Sequence, residues 1–335
     1  MLKDSTTRRE FLKQAAAGVT MAALAQDVLA SQSTASATGL PTRALGRTGA
    51  RVSILCLGGW HIGSLKNDAE AIRIMHAAVD EGLTFFDNCW DYHDGGSEEL
   101  MGKALAGGKR EKVFLMTKNC ERDYEGSKRC LDDSLRRLQT DHLDLWQFHE
   151  IIYDSDPDWV FERGGIKAAI EARKAGKVRH IGFTGHKDPR IHLAMLDKPF
   201  EWETSQMPIN VMDVHYRSFQ KQVVPVCLKR NIGVIGMKGF GGGSGIAGKA
   251  GLSAAEAYRY ALSQPVASQV VGITSMEQLK ENIALARTFS PMSAAEQTAL
   301  AAKVRDVATD GRFELFKSSQ MFDGPVHRRQ HGFVT

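Results

Sequence analysis

Four side chains between positions 87 and 149 have the chemistry of a proton-transfer site. Asp87 ends an apolar run and Tyr92 follows it by five residues, while Lys118 and His149 close two later runs of the same kind. A neighbouring ammonium favours the ionised form of a phenol, so Lys118 is expected to lower the pKa of Tyr92. Asp87 would hold the lysine, and His149 would hydrogen-bond a substrate oxygen. The group predicts proton transfer to a carbonyl oxygen.

Each of these residues taken alone has a simpler explanation. Asp87 could be a turn or helix-cap aspartate, and Tyr92 an amphipathic surface tyrosine. Polar side chains at several successive strand ends favour a catalytic site instead. Gln206 and Asn210 are two further polar side chains, in the apolar run over residues 204–210.

A regular alternation of strands and helices is needed to bring these residues together. Eight apolar runs rich in β-branched and aromatic residues recur, each followed by an amphipathic segment of helical length. The runs cover residues 54–59, 84–89, 113–119, 143–150, 180–185, 204–210, 232–240 and 268–274. The helical patterns cover residues 68–81, 97–105, 126–138, 164–175, 189–196, 219–230, 253–263, 276–287 and 293–308.

This alternation predicts an α/β fold, the (β/α)8 TIM barrel, over residues 43–309, with a C-terminal extension over 310–335. An open doubly wound sheet is the competing architecture. Its first strand should lead into a G-x-G-x-x-G turn, and the stretch from Leu57 to Gly63 does not fit that pattern. In a barrel, the strand-end residues named above would share one face.

Two further segments fit an anionic ligand. The loop after the seventh run is rich in glycine and can wrap a pyrophosphate, although such a run is usually only a flexible loop. The eighth run leads into a helix that suits an anion or a ribose, with an ordinary N-cap and a solvated helix face as the alternative. The residues concerned are Met237, Lys238, Gly239, Phe240, Gly241, Gly242, Ser275, Gln278, Glu281 and Asn282.

Composition excludes several other classes of function. A formal net charge of +4 over 335 residues, without a basic stripe, gives no support for nucleic-acid binding. The basic tail around His327, Arg328 and Arg329 is expected to be a solvated terminus. The five cysteines are scattered without a C-x-x-C pair, so no disulfide framework and no metal site are predicted.

The first 37 residues have the order of an export signal. Arg8 and Arg9 precede Phe11-Leu12-Lys13 and an alanine-rich apolar run, and small residues near Ala30 and Ala37 offer cleavage sites. This order resembles a twin-arginine (Tat) signal peptide, which would make the Tat export machinery a partner and the periplasm the destination. An amphipathic N-terminal helix is the alternative. The apolar run is too short for a stable membrane span.

Several stretches resemble the aldo-keto reductase superfamily. They include GLTFFDNCWDYHDGGSEELMGKAL, DHLDLWQFHE, VRHIGFTGH, NIGVIGMKGFGGG and GITSMEQLKENIALA, within about residues 43–287. The resemblance implies that Asp87, Tyr92, Lys118 and His149 are the catalytic tetrad, with Tyr92 as the general acid. It also implies reduction of an aldehyde, ketone or sugar carbonyl, or oxidation of the matching alcohol, with hydride from a nicotinamide.

The same resemblance implies an extended dinucleotide over the barrel mouth, NADP(H) favoured and NAD(H) possible. Gln206 and Thr184 would contact the carboxamide, Met237 the nicotinamide ring, and the glycine-rich loop the pyrophosphate; Trp60 would line the pocket. Two positions depart from the family pattern. Gly185 replaces a side chain that grips the carboxamide, and Gln278 replaces an arginine that pairs with the 2′-phosphate.

Two other functions remain compatible with these residues. One is an isomerase or epimerase that retains its dinucleotide. The other is a non-catalytic, cofactor-sensing interaction module. The substrate itself, a small carbonyl or alcohol, is not specified by the sequence.

Overall fold

A computed structural model of the protein describes residues 39–241, 248 and 250–334, together with the short strand at 34–35. The N-terminal strands form a small antiparallel sheet in the order β1-β2-β3. These strands are β1 (Thr34–Ala35), β2 (Pro41–Ala44) and β3 (Arg51–Ser53).

Eight parallel strands then close into a barrel, as the sequence predicts. Their order around the barrel is β10-β11-β4-β5-β6-β7-β8-β9, so each strand pairs with its neighbours in the chain. The strands are β4 (Leu55–Gly58), β5 (Phe85–Asp87), β6 (Phe114–Asn119), β7 (Leu143–Phe148), β8 (Val178–Thr184), β9 (Thr204–Pro208), β10 (Gly233–Met237) and β11 (Ser268–Val271). The α/β barrel prediction is confirmed.

Helices follow the strands and pack on the outside of the barrel. Side chains begin several of them: Asp123 accepts from the Gly126 N–H, and Ser253 forms a reciprocal capping box with Glu256. The helices are α1 (Gly59–Ile62), α2 (Asp68–Asp80), α3 (Gly96–Leu105), α4 (Tyr124–Leu138), α5 (Asp156–Glu162), α6 (Gly165–Lys174), α7 (Pro189–Leu196), α8 (Phe219–Gln222), α9 (Val224–Lys229), α10 (Ala254–Leu262), α11 (Met276–Arg287), α12 (Ala294–Ala308), α13 (Leu315–Ser318) and α14 (Pro325–Gln330).

The helix predicted over 219–230 is two helices, α8 and α9. Pro225 lies in the first turn of α9, where its missing N–H costs nothing, and this placement starts a new helix after Val223. The short helices α5, α13 and α14 were not predicted. Within the described residues, no helix combines the length and the apolar character that a membrane crossing requires.

The N-terminal end of the barrel is closed by the sheet of β2 and β3. Arg43 on β2 is fully buried, and it donates to the carbonyl oxygens of Val266 at 2.8 Å and Leu262 at 3.0 Å. Leu45 and Val52 pack into a core cluster with Cys56 and Phe85 from the barrel strands. The opposite, C-terminal end of the strands is therefore the end left for a site.

Candidate active site

Three neighbouring strands place the predicted proton-transfer residues at one level of the barrel. Asp87 ends β5 and pairs with Met116 of β6, while Lys118 near the end of β6 pairs with Gln147 of β7. His149 directly follows β7. Because these strands are parallel and adjacent, their carboxyl ends bring Asp87, Lys118 and His149 together.

Lys118 is the centre of a buried hydrogen-bond network. Its ammonium forms an ion pair with Asp87 and donates to the Asn88 carbonyl oxygen at 2.7 Å and to the Tyr92 hydroxyl at 3.2 Å. The side chains of Lys118 and Asp87 are only 2% and 4% exposed. Because Lys118 donates to Tyr92, the phenolic proton takes no part in that bond and is left for another acceptor.

The pKa of Tyr92 is shifted in the direction opposite to the expectation. Burial, and then the nearby carboxylate of Asp87, raise the pKa of Tyr92 well above its ordinary value. The prediction that Lys118 lowers this pKa is wrong, because burial was not readable from the sequence. Burial is the largest influence on Lys118 and acts against its ammonium, but Asp87, Cys89 and Cys56 together act in the opposite direction, and the pKa of Lys118 is raised.

His149 is enclosed by aromatic and sulfur neighbours. Its ring meets Tyr92 edge-on at 5.8 Å and His327 at 5.3 Å between centroids. Its Nδ1 atom lies 3.0 Å from Cys89 Sγ. Burial, and then the neighbouring His327, lower the pKa of His149 well below the ordinary histidine value, which keeps the ring neutral.

The loop that carries Tyr92 is tied to α3. Asn88 donates to the Ser97 carbonyl oxygen at 3.0 Å, and Ser97 donates to the Gly59 carbonyl oxygen at 2.8 Å. Gly95 is the N-cap residue of α3 and has φ of 90°, and a Cβ there would lie 2.3 Å from the Arg137 guanidinium carbon. Glycine is therefore required where the loop turns into the helix.

Trp60 lies beside this loop on α1. The residue is 52% exposed, and its ring meets Tyr92 edge-on at 5.3 Å and stacks on His93 at 4.6 Å. The structure thus brings Trp60 to the edge of the proton-transfer group.

Residues expected at the nicotinamide lie at the end of β8, in the middle of β9 and at the end of β10. Thr184 and Gln206 are buried, and Gln206 Oε1 has no hydrogen-bond partner among the described residues. Such an orphaned buried acceptor suits the amide group of a carboxamide. At Gly185, a Cβ would lie 2.3 Å from the Ile151 carbonyl oxygen, so the backbone here excludes any side chain at this position.

The glycine-rich loop is described only in part. Lys238 adopts φ of 55°, and its carbonyl oxygen accepts from the Gly241 N–H at 2.8 Å, which makes a tight turn. Gly239 is buried, and Phe240 packs on Tyr258 at 4.0 Å. Gly242 lies outside the described residues.

The residues expected at the adenosine end are used mainly in capping α11. Ser275 accepts from the Gln278 N–H at 3.2 Å, and Gln278 Oε1 accepts from the Thr274 N–H at 2.8 Å. Glu281 is exposed on α11, while Asn282 is buried. Asn210 likewise has a structural task, because its Oδ1 accepts from the Met212 N–H at 2.8 Å.

The C-terminal extension packs over this side of the barrel mouth. Lys238 lies 5.3 Å from the Phe316 ring and 5.2 Å from the Phe322 ring. Asp323 is fully buried at its side chain and pairs with Lys187 at 2.6 Å. Sequence reasoning missed this contribution, because residues 310–335 show no helical periodicity long enough to recognise.

His327 corrects the expectation of a solvated tail. It is fully buried, and Arg122 approaches its Nδ1 at 3.4 Å. Arg122 also donates to the carbonyl oxygens of His149 and Glu150, at 2.8 and 2.9 Å. The extension therefore supports the strand ends that carry the site.

Comparison with known proteins agrees with this architecture. The sequence profile described as the aldo/keto reductase family matches residues 54–249. An uncharacterized oxidoreductase, YrpG, from Bacillus subtilis is 34% identical over 226 residues, covering 59% of this chain and 66% of that protein. A 6-dehydroglucose reductase from Novosphingobium aromaticivorans is 31% identical over 166 residues, covering 44% and 53%. The chain thus spans between half and two thirds of these curated relatives.

Solved structures share the fold. The aldo-keto reductase AKR11C1 from Bacillus halodurans, in its holo form, superposes with a TM-score of 0.68 at 22% identity, covering 82% of this chain and 99% of that one. An aldo/keto reductase from Klebsiella pneumoniae in complex with NADP and acetate gives 0.65 at 23% identity, covering 78% and 94%.

Proposed function

The chain belongs to the aldo/keto reductase family, and from this premise we propose that it is an NAD(P)(H)-dependent oxidoreductase that reduces a carbonyl group or oxidises the matching alcohol. The observation that carries the proposal is the position of the Lys118 ammonium between Asp87 and the Tyr92 hydroxyl. Family membership supports an oxidoreductase, and the network supplies the proton donor that reduction of a carbonyl needs.

Each member of the network has a defined task in this proposal. Tyr92 donates its hydroxyl proton to the carbonyl oxygen, since the Lys118 bond does not use that proton. Lys118 fixes the position of the phenol, and Asp87 fixes the position of Lys118. His149, held neutral, orients the carbonyl by a hydrogen bond from its ring.

A nicotinamide dinucleotide fits the strand ends at its nicotinamide end. Gln206, with its orphaned Oε1, and Thr184 would hold the carboxamide, and the turn from Lys238 to Gly241 would approach the pyrophosphate. When bound, the dinucleotide supplies or accepts the hydride. We propose NADP(H) as the favoured form, as in the Klebsiella pneumoniae neighbour that holds NADP. NAD(H) is the alternative, because Gln278 caps its own helix and offers no positive charge to a 2′-phosphate.

Replacing Tyr92 with phenylalanine tests the assignment. We expect Tyr92→Phe to lower kcat for carbonyl reduction by about 10²–10⁴-fold, the usual contribution of a general acid, while dinucleotide affinity stays unchanged. Nicotinamide fluorescence measures binding, and NADPH consumption with an aldehyde panel measures turnover. Tyr258→Phe, at a buried tyrosine that packs on Phe240, is the matched control. Equal turnover by Tyr92→Phe and the parent would refute the mechanism.

Export through the Tat machinery to the periplasm is a further part of the proposal. The support comes from the sequence of residues 1–37, which lie outside the described residues except for strand 34–35. Cell fractionation of the full chain against an Arg8→Lys, Arg9→Lys variant tests export. Equal distribution of both proteins between compartments would contradict it.

A further inference from the structure

A second cluster of side chains lies immediately beside the proton-transfer network. It consists of Cys89, Cys120, His149 and Asp91, and one potential ligand atom from each lies within 4.8 Å of all the others. The proton-transfer step proposed above uses only His149 from this set. The two thiols and the Asp91 carboxylate are left without a chemical role.

The fold builds this cluster from adjacent strand ends. Cys89 lies two residues after β5, Cys120 directly follows β6, and His149 directly follows β7. Backbone bonds hold them in register, since the His149 N–H donates to the Asn119 carbonyl oxygen at 2.8 Å. Asp91 comes from the loop that carries Tyr92. Four ligands on three rigid supports and one loop make a preformed site.

Three of the distances between these atoms are close to those of a tetrahedral zinc site, and a fourth is shorter. Bonds of about 2.3 Å to sulfur and about 2.0 Å to nitrogen or oxygen place two sulfurs about 3.8 Å apart, sulfur and nitrogen about 3.5 Å apart, and nitrogen and oxygen about 3.3 Å apart. Here the two sulfurs are 3.7 Å apart, and Cys120 Sγ and His149 Nδ1 are 3.6 Å apart. His149 Nδ1 and Asp91 Oδ1 are 3.6 Å apart. Cys89 Sγ, at 3.0 Å from Nδ1, would move outward by about half an ångström on binding.

The burial of the cluster also points to an ion. Cys89 and Cys120 are fully buried, and His149 is 7% exposed. Asp91 Oδ1 is buried and has no hydrogen-bond partner among the described residues. A carboxylate oxygen in that condition is costly unless a cation or donor satisfies it. In the described part of the chain, no other group of three or more His, Cys, Asp or Glu side chains brings its potential ligand atoms within 4.8 Å of one another.

We propose that Cys89, Cys120, His149 Nδ1 and Asp91 bind one Zn²⁺ ion at the mouth of the barrel. Two thiolates, one imidazole and one carboxylate in a tetrahedron are ligands that zinc prefers, and four protein ligands make a closed, structural site. The ion ties the ends of β5, β6 and β7 to the Tyr92 loop.

The ion has a consequence for the imidazole that it binds. Coordination through Nδ1 leaves the hydrogen on Nε2, so His149 becomes an obligate donor at that nitrogen. This tautomer is the one needed to donate a hydrogen bond to a carbonyl oxygen. The role of the ion in fixing the tautomer for catalysis therefore rests on the function proposed above. The binding of the ion itself does not rest on the proposed function.

The spacing in sequence explains why the site was not predicted. Cys89 and Cys120 are 31 residues apart and His149 lies 29 residues further on, each in a different strand–helix unit. Zinc ligands recognisable from sequence come in close pairs such as C-x-x-C. Here only the parallel register of three strands brings the ligands together.

Metal content of the full chain, purified without a polyhistidine tag, tests the proposal. We expect about one zinc ion per chain by elemental mass spectrometry. Cys120→Ser and Asp91→Asn should each weaken the affinity of the chelator-stripped protein for Zn²⁺. The loss should exceed the factor of about 10–100 that is typical when a residue that only hydrogen-bonds a metal ligand is replaced. Cys227→Ser, at a fully buried cysteine on α9, is the matched control and should bind as the parent does.

Cobalt supplies a readout that is independent of both zinc content and activity. Co²⁺ added to the stripped protein should give the visible absorption of tetrahedral cobalt with thiolate ligands, and Cys120→Ser should abolish it. Circular dichroism identifies a variant that fails to fold, and Asp91→Asn, at a loop residue, then serves as the decisive variant.

Three outcomes would overturn the proposal. They are the absence of Zn²⁺ or Co²⁺ binding by the reduced parent, binding that Asp91→Asn and Cys120→Ser leave unchanged, and a Cys89–Cys120 disulfide in the purified protein. Thiol titration after denaturation, with and without reductant, detects the disulfide. A protein that binds zinc but reduces no carbonyl would refute the proposed function and leave the metal site standing.

Discussion

Replacing Lys317 with methionine is expected to destabilise the protein strongly. The Lys317 ammonium is fully buried and lies 2.7 Å from Asp213 Oδ1 and 3.0 Å from Glu314 Oε1. It also donates to the Tyr216 carbonyl oxygen at 2.8 Å. Lys317→Met keeps the volume but leaves two buried carboxylates without their cation. Removing one partner of such a buried pair typically costs about 3–5 kcal/mol of unfolding free energy.

The loss should depend on pH because Glu314 can take up a proton. Burial raises the pKa of Glu314 to about 7, even with Lys317 present. A raised carboxyl pKa means that stability is greatest below the unfolded value of 4.5 and falls as pH rises through about 7. The gap between these two values corresponds to at most about 3.5 kcal/mol. Lys317→Met should therefore be less harmful at pH 5.5 than at pH 8.5.

Urea-induced unfolding at these two pH values, followed by circular dichroism, measures both effects. Lys303→Met is the matched control, since Lys303 is 46% exposed and 4.0 Å from its carboxylate. Lys317→Met combined with Glu314→Gln should recover part of the loss at pH 8.5 and remove most of its pH dependence. A loss below about 1 kcal/mol at pH 8.5, or a larger loss at pH 5.5, would refute the reasoning.

Two further changes test local geometry. Gly185→Ala is expected to cost about 1–3 kcal/mol of unfolding free energy, because its Cβ would lie 2.3 Å from a backbone oxygen. Gly96→Ala is the control and should cost nothing, since the space around Gly96 is open. Equal denaturation midpoints for the two variants would contradict this expectation. Asp323→Asn removes the buried partner of Lys187, and amide exchange in residues 315–330 should accelerate by about tenfold or more relative to the barrel strands. Asp310→Asn, which removes an exposed ion pair, is the control for Asp323→Asn. Unchanged amide exchange in Asp323→Asn would mean that other contacts hold the extension.

The barrel was predictable because its signals are local. The apolar runs predicted over residues 84–89, 113–119 and 143–150 contain β5, β6 and β7, and the helix over Pro189–Leu196 begins and ends at the predicted residues. Given parallel strands in chain order, the meeting of Asp87, Lys118 and His149 follows from topology.

Burial and long-range packing were not predictable in the same way. The pKa direction of Tyr92 depends on how completely the surrounding loops exclude water, which no residue pattern encodes. The contact of His327 with His149 joins residues far apart in the chain through two short helices. The capping role of Gln278 likewise depends on a rotamer, since the same side chain could reach solvent.

The N-terminal closure of the barrel constrains the order of folding. Arg43 hydrogen-bonds to carbonyl groups 219 and 223 residues later in the chain. During synthesis, therefore, these two hydrogen bonds cannot form until the segment just before the final barrel strand has been made. Contacts of such high sequence separation form late and slow the search for the native state. Until then, Leu45 and the unfinished barrel floor remain exposed apolar surface, the kind that chaperones bind and that promotes aggregation in their absence.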